Sequence, residues 1–213
     1  SYNYKFYGGY KRTTMSDAQL NLHSFFITPV FSFNLEGYSS LKDDILEFRK
    51  EDQIGVKGRS TNGGWHSKDN LHNHPNFSDL RSEIFNFADE AFLHLGVQKM
   101  YMPEITGMWG IINPPGSSNR LHNHPYNFLS GVFYLQVPED SGQIIFHDPK
   151  PQAEVLSPPK VENHSIHVAH RVNFKPKNGT LLFFPSYLNH EVEENNSQDD
   201  RIIVSFNINF KRR

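Results

Sequence analysis

Between residues 105 and 210 the apolar residues recur with a period of two, and no other feature restricts the fold as much. Six short runs carry the pattern: ITGMWGIIN (105–113), LSGVFYLQV (129–137), GQIIFHD (142–148), SIHVAHRVNF (165–174), GTLLFFP (179–185) and RIIVSFNINF (201–210). Turn-forming clusters, PPGSSN, PEDSG, KPKNG and ENNSQDD, separate them. Many short strands at regular spacing build a sandwich or a barrel. Upstream the period is 3.6. SSLKDDILEFRKED (39–52) spaces Leu41, Ile45 and Phe48 as a helix does, with serine at the cap. SDLRSEIFNFADEAFLHLG (78–96) puts Leu80, Ile84, Phe87, Ala91 and Leu95 on one face and stops at Gly96. FFITPVFSFNL (25–35) reads as a strand that Pro29 confines to a sheet edge. The first twenty or so residues form a polar lead-in rich in Tyr and Gly. The chain is therefore expected to be one α+β, mainly β, domain over 1–213. Its N-terminal strand and helices (1–104) would pack on a β-core (105–210) that carries a Pro-rich insertion at about 150–178.

Composition removes several function classes. With 21 Lys+Arg against 23 Asp+Glu, the chain has no overall positive field to attract nucleic acid. No apolar run reaches the roughly 18 residues that cross a membrane. The opening SYNYKFYGGYKRTT has no apolar leader core, so a cytoplasmic protein is expected. Cysteine is absent, which excludes disulfides, thiolate zinc sites, iron–sulfur clusters and cysteine nucleophiles. Histidine occurs 12 times. Any metal would be held by imidazole and oxygen, a donor set suited to Fe(II), Zn, Mn, Ni or Cu.

The pentapeptide LHNHP occurs twice, at 71–75 and 121–125. In the second copy His122 and His124 precede a strand. If the backbone there is extended, residues i and i+2 point to one side and offer two imidazoles to one ion. The first copy lies in polar loop sequence leading into a helix, and is expected to be a surface loop. In GTLLFFPSYLNHEVEE a third histidine, His190, follows an apolar strand and a turn, where a neighbouring strand could bring it to the same ion. Eleven residues on, Arg201 opens a run whose apolar face is Ile202, Val204, Phe206, Ile208 and Phe210. Arg201, Ser205, Asn207 and Asn209 lie on the other face with Ile203. That face is either simply solvated or lines a cavity, where a buried guanidinium would require an anion. His164, His167 and His170 read as solvated surface, and His66, His94 and His147 are given no role.

Taken together, HNHP (122–125), SGVFYLQVP (130–138), SGQIIFHDPK (141–150), NGTLLFFPSYLNHEVEEN (178–195) and RIIVSFNI (201–208) resemble the Fe(II)- and 2-oxoglutarate-dependent oxygenases. The resemblance is to the uncharacterised 2OG-Fe(II) oxygenase group of marine bacteria and phages, related to prolyl and aspartyl hydroxylases. It covers about 109–210, and TNGGWHS (61–67) adds to it. It implies a double-stranded β-helix (jelly-roll) core, and Fe(II), 2-oxoglutarate and O2 as cofactor and co-substrates. It also implies a hydroxylase acting on an unactivated C–H bond, for instance of a prolyl or other amino-acid side chain. His122 and His190 fall at metal-ligand positions, Arg201 at the position that binds the far carboxylate of 2-oxoglutarate, Tyr134 at another co-substrate position, and Ser205 is added to the co-substrate set because it lies on Arg201's face. The family's usual carboxylate ligand is missing, because His124 stands in its place. Three readings follow: His124 ligates, the position holds water, or Asp148 of FHDPK supplies a carboxylate to the metal or to one of its ligands. The first is favoured because His124 shares a strand side with His122.

Phe133, Phe146, Phe183 and Phe184 are expected to wall the site, and loops 55–75, 113–121 and 150–178 to choose a small-molecule, peptide or protein substrate. A homodimer is compatible with the sequence, although no heptad argues for one. Three rivals stay open: a cupin-like three-histidine enzyme with no need for Arg201, a non-catalytic jelly-roll binding module, and a structural zinc site with closed coordination.

Overall fold

The period-two runs become the strands of two sheets in a computed structural model that describes residues 21–150, 152, 157–160 and 164–213. In chain order the elements are β1 (Phe31–Asn34), α1 (Leu41–Glu51), β2 (Thr61–Asn62), β3 (Trp65–His66), α2 (Ser78–His94), β4 (Tyr101–Asn113), β5 (Ser118–His122), β6 (Leu129–Gln136), β7 (Ile144–His147), β8 (Arg171–Phe174), β9 (Thr180–Pro185), β10 (His190–Val192) and β11 (Arg201–Arg212). The major sheet runs β1-β9-β6-β11-β4-β3 and the minor sheet β2-β5-β10-β7-β8. Every pairing within them is antiparallel.

Strand alternation sorts the major sheet into two apolar faces. One carries Met108, Ile112, Phe133, Phe183, Val204 and Phe206, and packs against Ile45 of α1 and Leu80, Ile84, Ala88 and Phe92 of α2. At about 2 kcal/mol for each large side chain removed from water, this layer is the main source of cohesion. The opposite face carries Trp109, Ile111, Val132, Tyr134, Leu182, Phe184 and Ile203, and meets Ile144 and Phe146 of the minor sheet. The helices thus back the major sheet and leave its other face free to build a cavity.

The expected helices and main strands form, with four differences. Ser40 does not cap α1 through its side chain; Asp43 and Asp44 in the first turn complement the helix dipole instead. Of the aromatics expected to wall a site, Phe133 and Phe183 point to the helices, because alternation places them on that face. Only Phe184 of the four lines the cavity described below. Part of the 150–178 segment is not an insertion: Arg171–Phe174 is a strand paired with β7. Ile166–Val168, expected to be extended, forms a 3₁₀ turn because Ser165 accepts a hydrogen bond from the His167 N–H, a local bond that competes with strand pairing. The polar lead-in of the first twenty residues, and parts of 150–178, lie outside the described residues.

Candidate metal centre

β5 and β10 lie side by side, with His122 directly opposite His190. The next registered pair is Asn119 with Val192, so two steps along β10 match three along β5. The extra residue makes a bulge in β5. Its consequence is directional. Asn119 turns inward, where its Oδ1 accepts from Asn113 Nδ2 at 3.1 Å, and His122 turns inward as well. His124 lies just past the strand, held by its backbone N–H donating to the Ser186 carbonyl at 2.9 Å.

The three imidazoles converge. Ring centroids stand 4.3 Å apart for His122 and His190, 5.1 Å for His122 and His124, and 5.3 Å for His124 and His190. One nitrogen from each lies within 4.8 Å of the others. Backbone carbonyls orient two of the rings: His122 Nδ1 donates to Arg120 O at 2.6 Å and His190 Nδ1 to Leu188 O at 2.9 Å. A carbonyl only accepts, so both rings carry their proton on Nδ1 and keep the Nε2 lone pair for the cluster. Burial, reinforced by the neighbouring His122, pushes His124 down to about 4 and His190 down to about 3; burial also lowers His122. All three are neutral at pH 7, as ligands must be. Phe184 and Phe146 pack around His190, and Trp109 lies beside His124.

The cluster opens on a cavity of about 620 Å³ between the sheets. Tyr134, Ile203, Ser205 and Asn207 form its wall on the major sheet. Ile203 and Tyr134 are register partners, and Arg201 lies two residues along β11 on the same face. Arg201 is 1% exposed and is not among the residues lining the cavity. Its Nη1 donates to the Ser141 carbonyl, while its buried Nη2 has no partner. Burial pushes its proton affinity down and that of the Tyr134 hydroxyl strongly up, so Tyr134 stays protonated. At the mouth stand Arg59 and Arg120, exposed, with no carboxylate in ion-pair range among the described residues.

The structure thus gathers His122, His124 and His190, puts Tyr134 and Ser205 in the same cavity, and sets Arg201 behind Tyr134. It does not bring Asp148 there. The Asp148 carboxylate accepts from the Lys150 N–H at 3.0 Å and caps a turn past β7; it is no member of the ligand cluster. His66, given no role above, lines the cavity, buried and stacked on Trp109 at 5.6 Å, with Nδ1 bonded to Ser67 O. Its signal was the TNGGWHS segment, whose two-residue strands are too short for periodicity to reveal.

Residues 107–207, which hold every candidate ligand, match the sequence profile of the family described as "Putative 2OG-Fe(II) oxygenase". Over those residues the chain is similar to the 2OG-Fe(II) oxygenases. A prolyl-4-hydroxylase of Pseudomonas putida shares the fold of this chain at a TM-score of 0.58 and 17% identity, over 87% of this chain and 94% of that one. The α-ketoglutarate-dependent epimerase SnoN of nogalamycin biosynthesis shares it at 0.63 and 13%, over 87% and 79%. A viral collagen prolyl hydroxylase of Paramecium bursaria Chlorella virus-1, solved with 2-oxoglutarate, shares it at 0.55 and 15%, over 84% and 94%. No curated protein matches the chain. Among the described residues no helix is long and apolar enough to cross a membrane. The family's cofactors, Fe(II) and 2-oxoglutarate, suit what is present: three neutral imidazoles for the metal, and an unpartnered buried guanidinium for a carboxylate.

Proposed function

We propose that the chain is an oxygenase that holds Fe(II) on His122, His124 and His190 and hydroxylates an unactivated C–H bond of a substrate that enters from the Arg59/Arg120 mouth. We also read its two-sheet core as the double-stranded β-helix of these enzymes. The observation that carries the reading is the convergence of three neutral imidazoles on a cavity walled by Tyr134 and Ile203, with the orphaned Arg201 guanidinium buried two residues along the same strand from Ile203. Bound Fe(II) supplies the chemistry: 2-oxoglutarate and O2 become succinate and CO2, and one oxygen atom enters the substrate C–H bond.

The chain's own residues set the geometry. The carbonyls of Arg120 and Leu188 hold the His122 and His190 rings in place, so the ligand set is formed before metal arrives. Arg201 supplies the positive charge that a buried carboxylate needs. Tyr134, kept protonated by burial, offers a hydrogen-bond donor on the same wall. Phe184, Ile203 and Trp109 reduce water near the cluster. With two guanidinium groups at the mouth that have no ion-pair partner among the described residues, a substrate bearing an anionic group is favoured, whether a small molecule or a peptide. A cupin-like or structural-zinc role would use the imidazoles but leave Arg201 buried without purpose.

The test is an anaerobic titration of 2-oxoglutarate into Fe(II)-loaded protein, followed by the visible metal-to-ligand charge-transfer band. The band is expected in the wild type, lost in His190→Ala, and shifted to much higher 2-oxoglutarate in Arg201→Gln. Fe(II) binding without the band would overturn the co-substrate assignment and favour the cupin-like alternative.

A further inference from the structure

One buried side chain of the cavity takes no part in the metal cluster. His66 is 6% exposed and lines the cavity, while Trp65 and Ser67 on either side of it face another hollow, as strand alternation requires. Its Nδ1 donates to Ser67 O at 2.6 Å, so the ring carries its proton there and keeps Nε2 as an acceptor. Nε2 has no partner among the described residues, yet it is not sealed from solvent, so it opens on the cavity. Burial lowers the proton affinity of the ring below its ordinary value, and His66 is neutral at pH 7.

The TNGGWHS segment holds that ring still. At Gly64 a Cβ would lie 2.8 Å from the Ile112 carbonyl oxygen and 2.5 Å from Thr61 Cγ2, so only glycine lets β3 approach β4. His66 then registers with Ile111, Ser67 N–H donates to Gly110 O at 2.9 Å, and Val56 N–H donates to His66 O at 2.8 Å. The imidazole stacks on Trp109 with the two planes 13° apart. Charges of both signs surround it. Asp69 lines the same cavity, exposed, with no cationic side chain in ion-pair range among the described residues. Arg59 and Asp69 both lie near enough for their charges to act on His66, in opposite directions. Opposite charges that share a cavity without pairing are left for a ligand to pair.

We propose that His66 Nε2 and the Asp69 carboxylate form a subsite for a protonated amine, and that the substrate is a zwitterion whose anionic group goes to Arg59 and Arg120. The inference rests on the substrate mouth of the oxygenase reading and deepens it, from a substrate that is anionic to one that carries both charges. The chemistry is matched: an ammonium has three N–H donors and no acceptor, and the subsite offers one charged and one neutral acceptor. The neutral state of His66 is needed, because an imidazolium would repel the amine. A hydroxyl, the rival occupant, has one proton to give and would satisfy only one of the two acceptors. Trp109 touches both His66 and His124, so an amine held at His66 lies about one aromatic ring away from the metal cluster.

The test is anaerobic calorimetry on protein supplied with Fe(II) and 2-oxoglutarate. The probes are the unbranched ω-amino acids from 3-aminopropanoate to 8-aminooctanoate, each beside the carboxylate, the amine and the ω-hydroxy acid of the same length. At least one amino acid should bind about tenfold more tightly than all three of its controls. Asp69→Asn and His66→Phe should each remove that advantage without weakening the plain carboxylate. Phenylalanine keeps the stack on Trp109 and removes the acceptor, and Asp69 is exposed, so Asp69→Asn folds whatever becomes of the other variant. Arg120→Gln should weaken amino acid and carboxylate alike. The proposal is overturned if no amino acid outbinds its carboxylate, if the hydroxy acid binds as tightly, or if the preference survives both variants. The charge-transfer band is read in the same samples. Its absence with the amine preference intact takes down the oxygenase reading and leaves the subsite standing, and its presence with no amine preference removes the subsite alone.

Discussion

The same five residues, Leu-His-Asn-His-Pro, occur at 71–75 and 121–125 and do unrelated work. In the first copy Leu71–Asn73 is a 3₁₀ turn, Leu71 is buried in the helix-side core, and His74 packs edge-on against Phe48 and Phe77 while its Nδ1 accepts from the Asn76 N–H. In the second copy Leu121 and His122 end a bulged strand, Leu121 is half exposed at the cavity mouth, and the two imidazoles face His190. Local sequence is therefore neutral between a packing turn and a metal site. The neighbour decides: β10 brings a third imidazole to the second copy, and among the described residues no such cluster forms at the first.

Substitutions made in parallel in the two copies test that contrast. The largest effect belongs to the second: His122→Ala should lower Fe(II) affinity about a thousandfold or more, while His72→Ala leaves it unchanged, as read by anaerobic metal titration. Next comes the third ligand. His124→Ala should cost about a hundredfold in metal affinity, and His124→Asp, which restores the superfamily's carboxylate, should stay within about tenfold of wild type. Equal behaviour of the two variants would remove His124 from the ligand set.

A smaller effect is acid sensitivity. In the metal-free protein the imidazoles of His124 and His190 are held far below their ordinary value of 6.5, at about 4 and about 3, by burial first and by the neighbouring His122 second. As pH falls below 6.5 the unfolded chain takes up protons that the folded one refuses, so stability should decline steadily towards pH 4. Urea midpoints across that range should show the slope. His190→Ala should flatten it, and replacing His72 and His74 should not. Smallest is the packing role of the first copy: His74→Ala should cost about 1 kcal/mol by losing two aromatic contacts and a turn bond, with metal binding intact. Any loss of metal affinity in that variant would blur the distinction between the copies.

Much of the architecture could be read before any coordinates. Both helices and the long strands follow from apolar period, and the two faces of β11 from its alternation, because burial on a sheet is a period-two property of neighbouring residues. The histidine pair and Arg201 were visible for the same reason: residue type and spacing within one segment are local. Asp148 stays open in the sequence because a carboxylate beside a strand end looks the same whether it caps a turn or faces a metal. Phe133 and Phe183 misled because alternation tells which residues share a face, not which face meets the helices.

What the sequence by itself determined is thus the set of elements, their amphipathic faces and the candidate ligands. The tertiary structure alone decided which of them meet. The bulge that turns Asn119 and His122 inward together, the register of His122 with His190, the inclusion of His66 and the burial of Ser141 against Arg201 all join residues from separate strands and turns. Such meetings depend on pairing register and sheet packing, which are set by the summed burial of both cores rather than by any segment's own residues.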